Sequence, residues 1–262
     1  MKKLETLGAV SLNELAERAD LQVRRDRKYV CPTGSIETLL SQLPDQTRVL
    51  EIDGRRSFGY SSTYFDTPEF VSFNGAAHRR RRRFKVRART YLDTGQSWME
   101  VKTCGAMGRT VKDRIPLAQV ESDRQIADMW QWVSQILKYR SIPNIRVARL
   151  APTLTVAYQR STLLLPGNLV RVTVDSDISW NTPLGRQGSL PGMGIVETKS
   201  PGSSSVIDKA LWGKGHRPDR ISKYATGFAY LTPGTQTNRW NRTIERYFEA
   251  TRVNEFQLEA VC

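Results

Sequence analysis

The chain has 262 residues, of which 39% are hydrophobic and 25% charged, a composition typical of a soluble globular protein that buries its own core. Three widely spaced cysteines, Cys31, Cys104 and Cys262, and only two histidines exclude a disulfide framework and a zinc site of nitrogen and sulfur ligands. No run approaches the apolar length of a membrane span, and 40 Lys and Arg against 26 Asp and Glu give a net charge of +14, which attracts polyanions.

The beginning of the chain predicts a cytoplasmic protein, because its short apolar stretch is broken by polar residues and is unlike a secretory signal. The first elements are predicted in the order helix 11–19, strand 24–32, helix 35–43 and strand 59–66. Ser11 and Glu14 form a capping-box pattern at the start of the first helix. The first strand places Asp26 and Lys28 on one face.

The most informative stretch runs from Arg79 to Tyr91 and reads RRRRRFKVRARTY. From its fifth arginine onward, basic residues alternate with apolar or small ones. Successive side chains of a strand point to opposite faces, so one face carries a line of cations. These cations are Arg83, Lys85, Arg87 and Arg89. A single strand of this kind is more often a solvated exterior than a binding surface, so the other strands decide between the two interpretations.

The middle of the chain continues with strand 96–103, strand 109–115 and helix 122–139. The two strands are predicted to form a hairpin across the sequence CGAMG. One face of the first strand carries Glu100 and Lys102, and one face of the second carries Lys112 and Arg114. The apolar residues of the helix recur at helical spacing, which assigns its tryptophans to the core.

The last part of the chain adds strands 153–160, 169–175 and 194–199, helices 204–212 and 219–231, and a partly amphipathic tail. Arg171 and Asp175 share one face of their strand, opposite a run of valines. Glu197 and Lys199 share one face of the next strand. Acids are therefore isolated among cations on these polar faces.

At least five of about eight predicted strands have a polar face that carries paired charged groups. Exterior faces would carry mixed polar residues, and lines of cations are costly by self-repulsion unless an anion lies between them. A sheet closed into a barrel places one parity of every strand inside. We therefore predict an α+β fold: an antiparallel β tunnel barrel of about eight strands with a basic lumen, flanked by helices, that binds a long anion rich in oxygen acceptors.

The isolated acids predict a divalent cation beside that anion. Mg²⁺ or Mn²⁺ typically takes one or two protein carboxylates together with phosphate oxygens and water. Glu197 and Glu100 are the best candidate ligands, and each is followed two residues later by a lysine. The alternative is a simple cross-face charge pair. The repetition of Glu-x-Lys on two strands already singled out favours the metal site.

Short motifs along the chain resemble, in the right order, the VTC domain, the catalytic module of vacuolar transporter chaperone polyphosphate polymerases in the triphosphate tunnel metalloenzyme superfamily. They are RKY at 27–29, SSTYFDTP at 61–68, RRFKVRAR at 82–89, MEVKT at 99–103, RTVKDR at 109–114, YQR at 158–160, RVTVD at 171–175, VETK at 196–199 and ISKY at 221–224. No single piece is specific, but their order is.

The resemblance implies a metal-dependent polyphosphate polymerase that transfers the γ-phosphoryl group of ATP to a growing polyphosphate chain, with Mn²⁺ or Mg²⁺ as cofactor. The residues implied to be catalytic are Lys28, Arg87, Arg89, Lys102, Arg171 and Lys199. Further phosphate contacts are expected from Lys112, Arg114, Ser222, Lys223, Arg160 and Lys85. Glu197, with Glu100 as second candidate, would hold the metal.

Two alternatives stay open. One is a triphosphatase on the same scaffold, although the first strand reads Arg24-x-Asp26-x-Lys28 where the hydrolytic CYTH branch has Glu-x-Glu-x-Lys. The other is a non-catalytic module for polyphosphate or nucleic acid. The run Arg79–Arg83 favours this module, but the sequence has no nucleic-acid-binding motif.

The predicted organisation is an N-terminal helical segment at 1–23, the tunnel domain at 24–231 and a C-terminal helical tail at 232–262.

Overall fold

The computed structural model describes residues 2–19, 25–105, 110–117, 123–142, 144–167, 170–235 and 238–248. In these ranges the α-helices are α1 (Leu12–Ala19), α2 (Thr33–Ser41), α3 (Val71–Ala77), α4 (Asp123–Tyr139), α5 (Val206–Gly213), α6 (Lys223–Leu231) and α7 (Asn241–Tyr247). The strands are β1 (Gly8–Val10), β2 (Arg25–Pro32), β3 (Arg48–Leu50), β4 (Phe58–Asp66), β5 (Phe84–Tyr91), β6 (Ser97–Cys104), β7 (Thr110–Leu117), β8 (Ala151–Leu164), β9 (Arg171–Asn181), β10 (Gln187–Ser189) and β11 (Met193–Ser200).

The chain forms two compact units. Unit one comprises Met1–Gly59, Tyr158–Ile178 and Ser189–Ile221, and unit two comprises Tyr60–Ala157, Ser179–Gly188 and Ser222–Cys262.

Unit one is built on the strand order β2-β11-β9-β8, with β11 antiparallel to both β2 and β9. One face of this sheet packs into a core that includes Tyr29, Val172 and Val196 from the strands and Ile36 and Leu211 from helices α2 and α5. Because side chains alternate along each strand, the neighbouring positions of these strands point away from that core.

Unit two is built on the strand order β8-β4-β5-β6-β7, in which β4 to β7 pair antiparallel. Its core joins Phe84, Val86 and Val101 of the strands to Val133 and Leu137 of α4. The helical stripe predicted for α4 and the apolar parity of β5 therefore pack together. The two strand orders share β8 and together include eight strands, which confirms the predicted α+β class with an antiparallel sheet flanked by helices.

Several predicted elements are confirmed with shifts of a few residues. The β6–β7 hairpin pairs in register from Ser97 with Leu117 to Cys104 with Thr110, while the centre of its turn lies outside the described residues. Of the predicted tail, only 232–235 and 238–248 are described. No helix in the described part of the chain is long and apolar enough to cross a membrane.

One predicted helix begins later than expected, and one helix of the structure is not predicted. The helix expected from residue 219 begins at Lys223, because the carboxylate of Asp219 accepts the N–H of Val30 at 2.9 Å and its own N–H donates to the carbonyl of Lys28 at 2.7 Å. These bonds hold Asp219 beside β2 and outside the helix. Helix α3 is absent from the sequence prediction, because its seven residues are too few to show a helical period.

Candidate functional site

Unit two has a charged face on strands β5, β6 and β7, opposite the side that packs on α4 and referred to here as the unit-two face. Antiparallel register aligns its residues into rows across the strands. One row is Lys85–Lys102–Lys112, the lysine row, and the next is Arg87–Glu100–Arg114. The predicted line of cations on β5 is thus one edge of a wider basic surface with a single acid at its centre.

Glu100 is the buried centre of this face, with no exposed surface. Its Oε2 accepts hydrogen bonds from Arg87 Nε at 2.7 Å and Arg87 Nη2 at 2.5 Å, and its Oε1 lies 3.6 Å from Lys112 Nζ. Burial raises the pKa of Glu100, but the charges of Arg87 and of three further cations outweigh burial and hold the pKa well below its usual range. The carboxylate therefore stays ionised and anchors the arginine.

The lysine row is the most strongly basic part of the face. Lys85 lies directly opposite Lys102, and Lys102 lies directly opposite Lys112. Like charges at directly opposed positions destabilise a sheet. Lys85 Nζ donates to Ser222 Oγ at 2.8 Å, which ties the row to the start of α6. Such a row is suited to an anion with several closely spaced charges.

Aromatic rings orient the remaining arginines of the face. The Arg114 guanidinium lies 4.4 Å from the ring centre of Trp98, and that of Arg89 lies 5.3 Å from the ring centre of Tyr60. Arg89 Nε also donates to Ser62 Oγ at 3.3 Å. Stacking leaves the planar edge of a guanidinium, which carries its donors, able to bind an oxyanion.

The start of α6 is fixed by a buried carboxylate. Ser222 is the N-cap residue, and its Oγ accepts the N–H of Ala225. Two residues later, Tyr224 donates its hydroxyl to Asp66 at 2.7 Å and stacks on Tyr64 with ring centres 4.9 Å apart. Burial raises the pKa of Asp66, although bonds from backbone N–H groups and from Tyr224 act in the opposite sense. This arrangement determines where Ser222 and its neighbour Lys223 lie.

Unit one carries a second charged face on strands β2, β11 and β9, referred to here as the unit-one face. Its rows are Lys28–Glu197–Thr173 and Asp26–Lys199–Arg171. Glu197 is 9% exposed, and its Oε1 lies 3.8 Å from Lys199 Nζ. Burial lowers the pKa of Lys199 to about 8; Glu197 opposes this shift, and Arg171 and Arg160 add to it.

An arginine–aspartate pair connects β8 and β9 within unit one. Arg160 donates from Nε to Asp175 Oδ1 at 2.6 Å and from Nη2 to Oδ2 at 2.9 Å. Burial alone would lower the pKa of Arg160, but Asp175 raises it well above its ordinary value. This two-point geometry fixes the guanidinium plane beside the rows of the unit-one face.

The two predicted metal ligands differ in how well they suit a cation. Among the described residues, no three His, Cys, Asp or Glu side chains form a metal-binding group. Glu197 nevertheless fits an ion that keeps its phosphate and water ligands, because Thr173 Oγ1, in the same row, is buried without a hydrogen-bond partner. The Oε1 atom of Glu100 is likewise buried without a hydrogen-bond partner, but Glu100 fits less well, because Arg87 occupies its Oε2 and the ammonium of Lys112 lies 3.6 Å from its Oε1.

The structure distributes the predicted site residues over both units. Unit two holds Lys85, Arg87, Arg89, Glu100, Lys102, Lys112, Arg114, Ser222 and Lys223. Unit one holds Lys28, Arg160, Arg171, Glu197 and Lys199. Tyr64, Asp66, Thr173 and Tyr224 are added by the structure. The sequence indicates only Tyr64 and Asp66 among these, because they share one face of the strand GYSSTYFD with Tyr60 and Ser62.

An α+β protein whose sheet faces carry rows of Lys and Arg around single buried carboxylates is suited to bind a condensed phosphate. The family model described as VTC domain matches residues 23–232, which is most of the chain. The chain therefore belongs to the VTC domain family. The resemblance drawn from the ordered motifs is confirmed.

The solved structures that are similar to this chain have low sequence identity to it. A putative adenylate cyclase from Bacillus halodurans is 15% identical, with 87% of this chain and 98% of that chain covered and a TM-score of 0.44. A putative adenylyl cyclase from Hippeastrum, with a dominant triphosphatase activity, is 14% identical, with 79% and 97% covered and a TM-score of 0.47. No curated protein matches the chain significantly.

Proposed function

We propose that the protein is a polyphosphate polymerase that transfers the γ-phosphoryl group of ATP to the end of a growing polyphosphate chain. The observation that carries this proposal is the lysine row, in which Lys85, Lys102 and Lys112 are directly opposed on three adjacent strands. Three like charges in this register destabilise the folded sheet, and a polyanion with one charge or more per phosphoryl group relieves that cost.

The protein has little covalent chemistry to perform in this reaction. Phosphoryl transfer is accelerated mainly by positioning the reacting groups and neutralising the charge that spreads over the phosphoryl oxygens. Arg89 and Arg114, oriented by aromatic rings, and the lysine row supply donors for these oxygens on the unit-two face. Lys28, Arg171 and Lys199 supply them on the unit-one face.

Arg87 has a different role in this proposal from the one its position on β5 predicts. Its Nε and Nη2 bind Glu100, and its Nη1 donates to Tyr64 at 2.9 Å. We therefore assign Arg87 a structural role, in which it binds Glu100 and keeps this carboxylate ionised at the centre of the unit-two face.

A divalent cation would be held by Glu197, with the Thr173 hydroxyl nearby. When bound, Mn²⁺ or Mg²⁺ polarises phosphoryl oxygens and neutralises their charge. The first strand has Arg24 and Asp26 where the CYTH branch has two Glu residues, so it does not offer that branch's paired carboxylates. Its one acid, Asp26, lies opposite Lys199 in the β2–β11 register.

The proposal is tested by incubating the purified protein with ATP and Mn²⁺ and resolving the products on a gel. A ladder of polyphosphate is expected, and Glu197→Gln should reduce its formation about 100-fold or more. The matched control is Glu37→Gln, the same change at an exposed position of α2 in unit one.

Other products would redirect the function. Release of inorganic phosphate without a ladder would make the protein a triphosphatase. Intact ATP together with tight polyphosphate binding would make it a binding module. Equal activity of Glu197→Gln and Glu37→Gln would remove Glu197 from the metal site.

A further inference from the structure

The loop between α3 and β5 presents five consecutive arginines, Arg79–Arg83, referred to here as the arginine loop. The first four side chains are exposed, and that of Arg83 is half-buried. None of the five forms an ion pair with another residue in the described part of the chain. The phosphoryl transfer proposed for the unit-one and unit-two faces does not involve these five arginines.

The backbone of the arginine loop is held in place. The N–H of Arg80 donates to the carbonyl of Gly75 at 2.9 Å, and Arg83 Nη1 donates to the carbonyl of Arg80 at 3.0 Å. At Gly75 a Cβ atom would lie 3.4 Å from Cβ of Arg83, so the absence of a side chain lets the loop pack closely on α3. The guanidinium groups are therefore presented from a fixed backbone, and their mutual repulsion favours a bound anion.

The arginine loop continues directly into the unit-two face. The carbonyl of Arg83 accepts the N–H of Cys104 at 3.2 Å, so the β5–β6 ladder extends one residue into the loop. Arg83 has the same parity as Lys85, Arg87 and Arg89. At about 3.3 Å per residue, Arg83 lies roughly 20 Å along the strand from Arg89. A triphosphate bound at Arg89 is too short to reach Arg83, whereas a polymer bound along β5 from Arg89 to Lys85 continues to the loop.

We infer that the arginine loop is a second binding surface for linear polyphosphate, which holds a part of the polymer beyond the phosphoryl groups bound at the unit-two face. The inference rests on the proposed function for the identity of the polymer. Guanidinium groups suit it because each donates two hydrogen bonds to one phosphoryl group.

The composition of the loop favours polyphosphate over nucleic acid and lipid. Residues 79–83 include no aromatic side chain on which a base could stack and no apolar side chain that could enter a bilayer. The ring of the preceding His78 is tied to α3, with Nδ1 2.9 Å from the carbonyl oxygen of Asn74. The residue that follows the loop, Phe84, is buried in the core of unit two.

The test compares two variants that lose the same charge. One replaces Arg79, Arg80, Arg81 and Arg82 with Gln. The control replaces four exposed cations of unit two that lie elsewhere, Lys138, Arg146, Arg242 and Arg246, with Gln. The affinities for long-chain polyphosphate and for tripolyphosphate are measured by titration at one fixed salt concentration. The loop variant should bind long-chain polyphosphate about tenfold more weakly, while the control variant and all tripolyphosphate affinities stay unchanged.

Three results would overturn the inference: an equal loss in the control variant, an equal loss for tripolyphosphate, or a loop variant that keeps its polyphosphate affinity but loses binding to an RNA oligonucleotide or to phosphatidylserine vesicles. These titrations need no turnover. A protein that makes no polymer but shows the chain-length-dependent loss would refute the polymerase and leave the loop as a polyphosphate surface.

Discussion

Lys199 shows how a single residue of the unit-one face can make phosphate binding depend on pH. Its side chain is 15% exposed, and burial lowers its pKa to about 8 despite the nearby Glu197. The lysine is a cation below that pH and neutral above it. A bound phosphoryl group adds negative charge and raises the pKa, so binding favours the protonated form.

We therefore expect the affinity for tripolyphosphate to fall as the pH rises through about 8. Complete loss of one partly buried charge contact is expected to cost about tenfold in affinity. Titrations between neutral and alkaline pH check this, with Lys199→Arg as control, because a guanidinium keeps its charge throughout the range. If Lys199→Arg gives the same profile as the unmodified protein, the pH dependence belongs to another group.

Strands β5 and β6 are joined by a buried pair of opposite charges rather than by apolar contacts alone. Arg87 is 6% exposed and Glu100 is not exposed at all. Breaking such a pair on one side leaves a charge buried without its main partner, whereas replacing both partners with apolar groups of similar volume is often neutral.

Arg87→Ala is accordingly expected to lower the free energy of unfolding by about 3–5 kcal/mol. The double variant Arg87→Met with Glu100→Met should recover most of this stability without recovering polyphosphate synthesis. Urea denaturation of the two variants beside the unmodified protein measures the difference. An Arg87→Ala protein of unchanged stability would mean that the carboxylate finds a full substitute partner, for which Lys112 is the nearest cation.

For the strands, the sequence predicts which face a side chain lies on better than it predicts which residues it contacts. Period-two alternation on β5, β6 and β7 is local, so Lys85, Lys102 and Lys112 are assigned to the charged side without knowledge of the fold. Their alignment into one row needs the register, which depends on pairing along the whole strand. The bond from Tyr224 to Asp66 joins residues 158 positions apart, and no local pattern indicates it.

For the whole molecule, the residues that precede the family match are part of unit one. Strand β1 pairs parallel with β3, with Gly8 opposite Arg48 and Val10 opposite Leu50. Leu4, Val10 and Leu15 are buried. The sequence predicts the α1 helix from Ser11 and Glu14, but it does not predict that this segment completes a sheet, because a three-residue strand has no readable period.

A protein that lacks residues 1–22 is therefore expected to lose stability on the order of 5 kcal/mol, since burying each of several Leu and Val side chains contributes about 1.5–3 kcal/mol. Trimming also removes the carbonyls of Leu4 and Leu7, which accept hydrogen bonds from Arg56 at 2.6 and 2.9 Å. Thermal unfolding of the trimmed and full chains measures the loss.

Two point variants in α1 separate this effect from mere shortening. Leu15 is 4% exposed and Leu12 is 55% exposed, so the same change to Ala tests burial within one helix. Leu15→Ala should cost about 2–5 kcal/mol and Leu12→Ala close to nothing. If both variants and the trimmed chain unfold like the full protein, the N-terminal segment does not stabilise unit one. If they behave as expected, the folding unit of this chain is larger than the part that matches the family, because β3 pairs with a strand that lies outside the match.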